Sequence, residues 1–461
     1  MPKKNLYTAL SAALCVIAGI SAQAQQTVTL PAANIVAQSP YSTAVTNGTT
    51  GLLVLGGSIY VANATGGYPA TPVSALPTLP LTVLTVQAIS VGPLNLLNTT
   101  YEVTPDATRK RIFAAGVSGG GTISSTYKII TTAATWQAGT YEAPLLYTAD
   151  GLGNSVTPPS QVMTLIVPAF LSTTSITIPN TTINVNNLSF FTNGISISSQ
   201  VGYHTTVPTS LKVKTAAATF TYTSVPAGMS DPATSVSKMT VALTGTVTGP
   251  TSALASSDVT LSPAAGILVT SYSANNNLPV PTFSISAADL RSSFLKAGNY
   301  DAALTYTIAP TSGVTPASIT KTSTMRVAVS SLAAFTVPTT AVNLNFNTAA
   351  DYKLGVSKNV TGQLSVSSTL PYNITVKANT AAFTNGSNTI PLNMLSISGV
   401  NAGDNIIPVT LSTNAQNLVS GANPVIGRSY DLKYTIPSST ALMNKAAGTY
   451  ATTIVFSYVA P

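Results

Sequence analysis

The sequence predicts an all-β fold: three tandem β-sandwich domains behind a secretory signal peptide. Three observations predict it. Two short signatures each recur three times, in the same order, along 461 residues. The stretches around them alternate apolar and polar residues with the period of a strand. Only 7% of residues are charged, and Thr, Ser, Ala, Asn and Val fill positions where a cytosolic protein carries Lys and Glu. β-Branched side chains pack well on a pleated surface, so that exchange favours strands.

The first signature is apolar-Thr-apolar-Pro with a further apolar residue four positions on: Val28-Thr29-Leu30-Pro31…Ile35, Ile176-Thr177-Ile178-Pro179…Ile183 and Phe335-Thr336-Val337-Pro338…Val342. The second is Ala-Gly-x-Tyr leading into an alternating strand: Ala138-Gly139-Thr140-Tyr141, Ala297-Gly298-Asn299-Tyr300 and Ala447-Gly448-Thr449-Tyr450. Successive copies are displaced by 148 and 159 residues for the first signature and by 159 and 150 for the second. Three diverged copies of one domain account for this. They divide the chain into a signal peptide (1–24) and repeats at 25–170, 171–332 and 333–461.

At the N-terminus, Lys3 and Lys4 precede the apolar run Ala9–Ile20, and Ala22-Gln23-Ala24 provides the small-x-small site of a signal peptidase. The mature chain then starts at Gln25. The only cysteine, Cys15, lies within the signal behind Leu14, where lipid attachment would need a small residue. An exported chain without cysteine is held by burial alone, and each repeat is large enough to bury a core.

In the repeats, Tyr141, Leu145 and Tyr147 share one strand face, as do Tyr300, Leu304, Tyr306 and Ile308, and Tyr450, Ile454, Phe456 and Tyr458. The glycines ahead of them suit a turn or a close backbone approach. The first signatures are predicted as strands whose proline marks an edge or a kink. Leu211-x-Val213-Lys214…Phe220 matches Ile374-x-Val376-Lys377…Phe383, with Leu84-Thr85-Val86 as the candidate counterpart. Many short β-rich stretches punctuated by Gly, Pro, Asn and Ser complete the pattern of a sandwich or barrel. Short helical turns are predicted only within Ala287–Lys296 and Ser439–Lys445. Joints fall near Pro168–Leu171 and Ser330–Ala334.

The third repeat departs from its siblings. Repeats 1 and 2 continue past the tail into another strand, Gln161–Val167 and Thr322–Val329, whereas the third ends with its tail. The residues favour Tyr450–Tyr458 as the closing strand, the extra strands of repeats 1 and 2 serving to lead into the next module. The alternative is an open edge filled by a strand from a neighbouring molecule, with Gln25–Leu30 as the donor.

The tail Ala447-Gly448-Thr449-Tyr450-Ala451-Thr452-Thr453-Ile454-Val455-Phe456-Ser457-Tyr458 resembles the closing strand of fimbrial subunits, the archaic pilins and spore coat protein U-like domains. The resemblance implies an immunoglobulin-like, pilin-like sandwich and a role in assembling surface fibres or coats. Unlike many pilins, the mature chain has no cysteine.

Composition speaks against most chemistry. The net charge is +8, but basic residues are dilute apart from Arg109-Lys110-Arg111, which reads as a solvated segment rather than a nucleic-acid site. His204 is the only histidine, which excludes a His-based metal cluster. Glu102 and Glu142 are the only glutamates, and a paired-carboxylate site would need one of them to face its mate or Asp106. Gly116–Gly121 lacks the Lys and the helix of a phosphate loop and reads as a turn. Trp136 reads as a core or joint aromatic. No catalytic, cofactor-binding or metal-ligating residue is assigned, and no cofactor. No apolar run beyond the signal approaches a membrane helix.

The expected function is therefore an exported bacterial cell-surface structural or adhesive protein, a fibre subunit among the options, and not an enzyme. Its partners would be copies of itself, other surface proteins or glycans. The alternatives are an extracellular array of carbohydrate- or protein-binding modules and an outer-membrane β-barrel; the threefold repeat argues against the barrel.

Overall fold

The computed structural model describes residues 24–460 except 52–56, 73–75, 93–94, 115–116, 119, 151–154, 173–177, 244–252, 255–258, 273–277 and 312–314. The expected signal peptide lies outside the described residues but for Ala24. The rest is mostly β, as the alternation predicts. The described strands form separate sheets with ends, and among the described residues no single sheet closes into a barrel.

The first sandwich pairs a six-stranded sheet with a five-stranded one. The six-stranded order is Ala24–Thr29, Ser160–Val167, Gly139–Asp150, Ser58–Asn63, Lys110–Ala114 and Thr99–Thr100. The second sheet centres on Tyr41–Thr50, Gly121–Ile129 and Leu84–Val91. The second sandwich repeats the arrangement: Thr181–Val185, Ile319–Val329, Gly298–Pro310 and Thr209–Thr215 lie side by side, opposite a four-stranded sheet. In the third, a five-stranded sheet built on Val356–Ser368 and Val425–Ile436 faces Gln416–Ala422, Tyr372–Ala378 and Ile454–Val459. Side chains from both sheets merge into one buried cluster in each case, the first from Val28 to Val167, the second from Leu171 to Val329, the third from Val360 to Tyr434.

Three kinds of strand matter for function. The tail strand follows Ala-Gly-x-Tyr. A closing strand (Ser160–Val167, Ile319–Val329) runs antiparallel to it. A lead strand (Ala24–Thr29, Thr181–Val185) runs parallel to the closing strand on its other side.

That pairing corrects two expectations. Gln25–Leu30 is no spare donor: Ala24–Thr29 pairs residue by residue with Gln161–Ile166, and Val28 and Leu30 are 2% and 0% exposed. The first signature also fails to mark equivalent positions. Ile35 sits on a short helix, Ala32–Ala37, rather than a strand. The register makes Val28, opposite Leu165, the counterpart of Ile183, opposite Val327.

The predicted helical turns are present at Ala287–Ser293 and Thr440–Met443. Ser286 caps the former, its hydroxyl accepting from the Asp289 amide. Helices at Phe190–Asn193 and Ala349–Leu354 carry no comparable periodicity. Leu211 and Val213 lie on Thr209–Thr215, and Ile374 and Val376 on Tyr372–Ala378, all buried. Trp136 is buried, its indole N–H donating to the Thr131 carbonyl at 2.7 Å.

The first core holds a polar knot: the Asn47 amide donates to the Tyr127 and Tyr147 hydroxyls at 2.8 and 3.0 Å, and those hydroxyls lie 2.7 Å apart. Burial pushes the Tyr127 pKa up from 10.0 to about 12 and raises that of Tyr147 as well. A phenol whose folded pKa is raised keeps its proton in the folded state while the unfolded chain would lose it. The stability it contributes is whole below pH 10 and is lost as pH rises towards 12. Alkaline titration followed by tyrosinate absorbance should therefore show these two phenols ionising only together with unfolding of the first sandwich. Separately, Leu30→Ala should lower the unfolding free energy of that sandwich by about 2–5 kcal/mol in a urea melt.

Candidate functional site: an open edge in the third sandwich

The three tail tyrosines adopt one local geometry. The hydroxyls of Tyr141, Tyr300 and Tyr450 each donate to the carbonyl four residues earlier, at Gln137, Lys296 and Ala446, at 2.9, 2.8 and 2.9 Å. Gly298 and Gly448 share a φ near +150°, at +148° and +149°. At Gly298 a Cβ would come within 2.5 Å of the Thr223 carbonyl oxygen, which is why this position carries no side chain. Gly139 is not in that region.

Beyond this shared turn the third copy differs. In the first two sandwiches the tail is flanked on both sides, and its inward residues Tyr141, Leu145, Tyr147, Tyr300, Leu304, Tyr306 and Ile308 are at most 2% exposed. In the third, Ile454–Val459 pairs only with Tyr372–Ala378. Among the described residues no strand lies on its other side. Its inward residues Ile454, Phe456 and Tyr458 are only half-buried, although they pack on the third core. Val459 is 41% exposed.

The lead segment is open in the same way. After Ala333–Thr336, residues 337–347 belong to no sheet, yet they alternate: Val342, Leu344 and Phe346 are half-buried and Ala341, Asn343 and Asn345 exposed. Val342 and Leu344 pack on the core, and the Gln363 side-chain amide donates to the Thr339 carbonyl at 2.9 Å. Elsewhere a closing strand stands between lead and tail. Here, among the described residues, the tail is the last strand of its sheet, so it is an edge rather than the closing strand favoured from the sequence. Such an edge leaves a row of backbone donors and acceptors without a strand partner, next to the half-buried Ile454, Phe456 and Tyr458.

No protein-family model matches the sequence, and comparison with curated proteins returns no relative. Among solved structures, the chain is similar to CfaE, the adhesive subunit of CFA/I fimbria of enterotoxigenic Escherichia coli, at 12% identity and TM-score 0.31, over 67% of this chain and 97% of that one. It is similar to the CsuC–CsuE chaperone–tip adhesion subunit complex of archaic Csu pili of Acinetobacter baumannii, at 14% identity and TM-score 0.29, covering 63% and 99%. A third similarity is to the CupB6 tip adhesin of Pseudomonas aeruginosa, at 12% identity and TM-score 0.24, covering 63% and 90%.

The joints between sandwiches are built alike, around one buried threonine each. The Thr206 amide donates to Phe170 O at 3.2 Å, and the Thr369 amide to Leu332 O at 3.0 Å. The Phe170 and Leu332 amides donate back to the threonine hydroxyls at 3.1 and 2.8 Å. Those hydroxyls donate to Pro168 O and Ser330 O at 2.7 and 2.8 Å. Each threonine carbonyl then accepts from the alanine of the preceding Ala-Gly-x-Tyr, Ala138 at 2.8 Å and Ala297 at 3.0 Å. Both threonines open a Thr-x-Pro, five residues before Leu211 and Ile374, a signal the sequence reading passed over.

The residues weighed for chemistry are dispersed. His204 lies at the first joint, its carbonyl accepting from the Ser172 amide. Glu102 accepts from Thr85 and pairs with Lys128 at 3.1 Å, and these contacts lower its pKa, the Thr85 bond most. Glu142 accepts from Thr164 on the closing strand. Arg109 pairs with Asp150 and lies over Tyr60, Lys110 pairs with Asp106, and Arg111 lies over Tyr101. Of Gly116–Gly121, Val117–Ser118 pairs with Asn95–Leu96 and Gly120 and Gly121 turn with positive φ; Gly116 and Gly119 lie outside the described residues. Among the described residues no cluster of His, Cys, Asp or Glu is placed to hold a metal. No described helix is long and apolar enough to cross a membrane.

Replacing Thr369 by Val should leave the Leu332 amide and the Ser330 carbonyl without their bonds inside the joint. The expected loss is about 1–3 kcal/mol, read as a lower urea midpoint, with Thr206→Val behaving alike. Unchanged midpoints would mean that the threonine does not hold the joint.

Proposed function

We propose that this chain is an exported bacterial cell-surface protein of fimbrial type, structural or adhesive, composed of three sandwich domains at 25–170, 171–332 and 333–461. Its third domain is completed by a strand from another subunit. The observation that carries this reading is the unpaired edge of Ile454–Val459, whose inward residues only half cover a core on which the unpaired segment 337–347 also packs. Strand addition satisfies such an edge with main-chain hydrogen bonds and fills alternate pockets with side chains. Each aliphatic side chain fully buried there contributes about 1.5–3 kcal/mol. Export through the signal peptide and a residue inventory poor in catalytic groups fit a protein that acts by assembly rather than by catalysis.

The test uses a synthetic peptide with the sequence of residues 319–329, the closing strand of the second sandwich. Added to the full chain, it should bind one to one and raise the lowest unfolding transition. An absence of binding, with the transition unmoved, would overturn the reading.

A further inference from the structure

The core of the first sandwich holds polar side chains that its own hydrogen bonds leave unsatisfied. Asn47 continues the inward face of Thr43 and Val45 on the strand Tyr41–Thr50. It stands at a bulge: between Thr46 and Thr49 this strand has two residues, Asn47 and Gly48, where its partner has only Ile123. Gly48, at φ +93°, takes a backbone conformation that other residues rarely adopt, and the ladder is interrupted there. Asn47 and Gln161 are 0% and 1% exposed.

The Asn47 amide has two hydrogens to give, and the Tyr127 and Tyr147 hydroxyls take them at 2.8 and 3.0 Å. Gln161 Oε1, 3.5 Å from the same nitrogen, is a third acceptor for which no hydrogen remains. At the other ends of the two amides, Asn47 Oδ1 and Gln161 Nε2 are buried without a hydrogen-bond partner in the protein. Turning either amide over only exchanges which of its ends is left. Ser125 Oγ is another such atom, on the inward face two residues before Tyr127. Asn47 and Ser125 belong to one sheet and Gln161 to the other, so both sheets contribute unpaired groups where the two amides lie against each other.

The character of these groups selects what they bind. Among the described residues no charged side chain is buried in this sandwich, so neither a cation nor an anion would be neutralised there. An apolar guest would leave the amide ends unpaired. A water both donates and accepts, which is what one free acceptor and one free donor require.

We infer that the first sandwich has a buried water-binding site between its sheets, the water donating to Asn47 Oδ1 and accepting from Gln161 Nε2. The water carries the Asn47–Tyr127–Tyr147 knot onto a fourth strand, Ser160–Val167, and so ties the bulge in one sheet to the closing strand of the other. The second sandwich needs no such bridge. Ser323 stands opposite Leu304 as Gln161 stands opposite Leu145, and among the described residues of that sandwich no buried side-chain nitrogen or oxygen is without a partner.

Magnetic relaxation dispersion of the water signal, recorded on the full chain, reads long-lived buried waters. Gln161→Met keeps the length of the side chain and removes its polar end, and it should lower the dispersion amplitude. Ser323→Ala in the second sandwich should leave the amplitude unchanged. An amplitude unmoved by Gln161→Met, or lowered as much by Ser323→Ala, would overturn the site. A crystal structure of the unsubstituted chain tests it without a variant: a water should lie within about 2.7–3.2 Å of the free ends of both the Asn47 and the Gln161 amides. Those ends bonded directly to each other or to other side chains, with no water between them, would overturn the inference.

Discussion

The structure turns on one pairing: the tail strand of the first two sandwiches, buried on its inner face, has a hydrogen-bonded neighbour along each edge, whereas the third, among the described residues, has one. In the first two sandwiches the closing strand meets that need and, on its far side, holds the lead strand in parallel register. Tail, closing and lead strands thus stand or fall together. Without the middle member the tail keeps only its inner partner and the lead segment joins no sheet, which is the state of Ile454–Val459 and residues 337–347. Their half-burial follows from the missing strand and not from weaker residues, since Ile454, Phe456 and Tyr458 are as apolar as their buried counterparts.

The joints extend the constraint along the chain. The alanine that opens each tail turn also donates its amide to the next sandwich, so the turn that fixes the tyrosine fixes the neighbour's position. A buried threonine suits this place because its hydroxyl both accepts from a linker amide and donates to a linker carbonyl. With its polar groups satisfied by the linker, each threonine can be buried without penalty.

Much of this was legible in the sequence. The Ala-Gly-x-Tyr turn is local, spanning the hydroxyl's reach to a carbonyl four residues back, so its three copies stand out. The alternation of Tyr300, Leu304, Tyr306 and Ile308 gave the buried face directly. The first signature misled because Pro31 opens a helix at Ala32–Ala37 whereas Pro179 precedes a strand; similar letters led into different backbone. Whether Gln25–Leu30 was free or paired depended on a parallel partner over a hundred residues away, which no local pattern encodes. The open edge was weighed from the shortened third repeat, but the residues of Tyr450–Tyr458 look like any closing strand, and only topology separates a strand with one neighbour from a strand with two. Thr206-Val207-Pro208 and Thr369-Leu370-Pro371 were readable as a repeat, yet a proline-containing tripeptide ahead of a strand reads as an ordinary turn until its bonds are seen.

The most direct measurement is native-state amide exchange of the full chain, comparing Ile454–Val459 with its counterpart within Gly298–Pro310. Unequal protection is expected, with the third tail exchanging far faster on its unpaired side while the second tail exchanges only on global opening. Equal protection of the two tails would mean that the third sandwich is already closed, and would contradict the account.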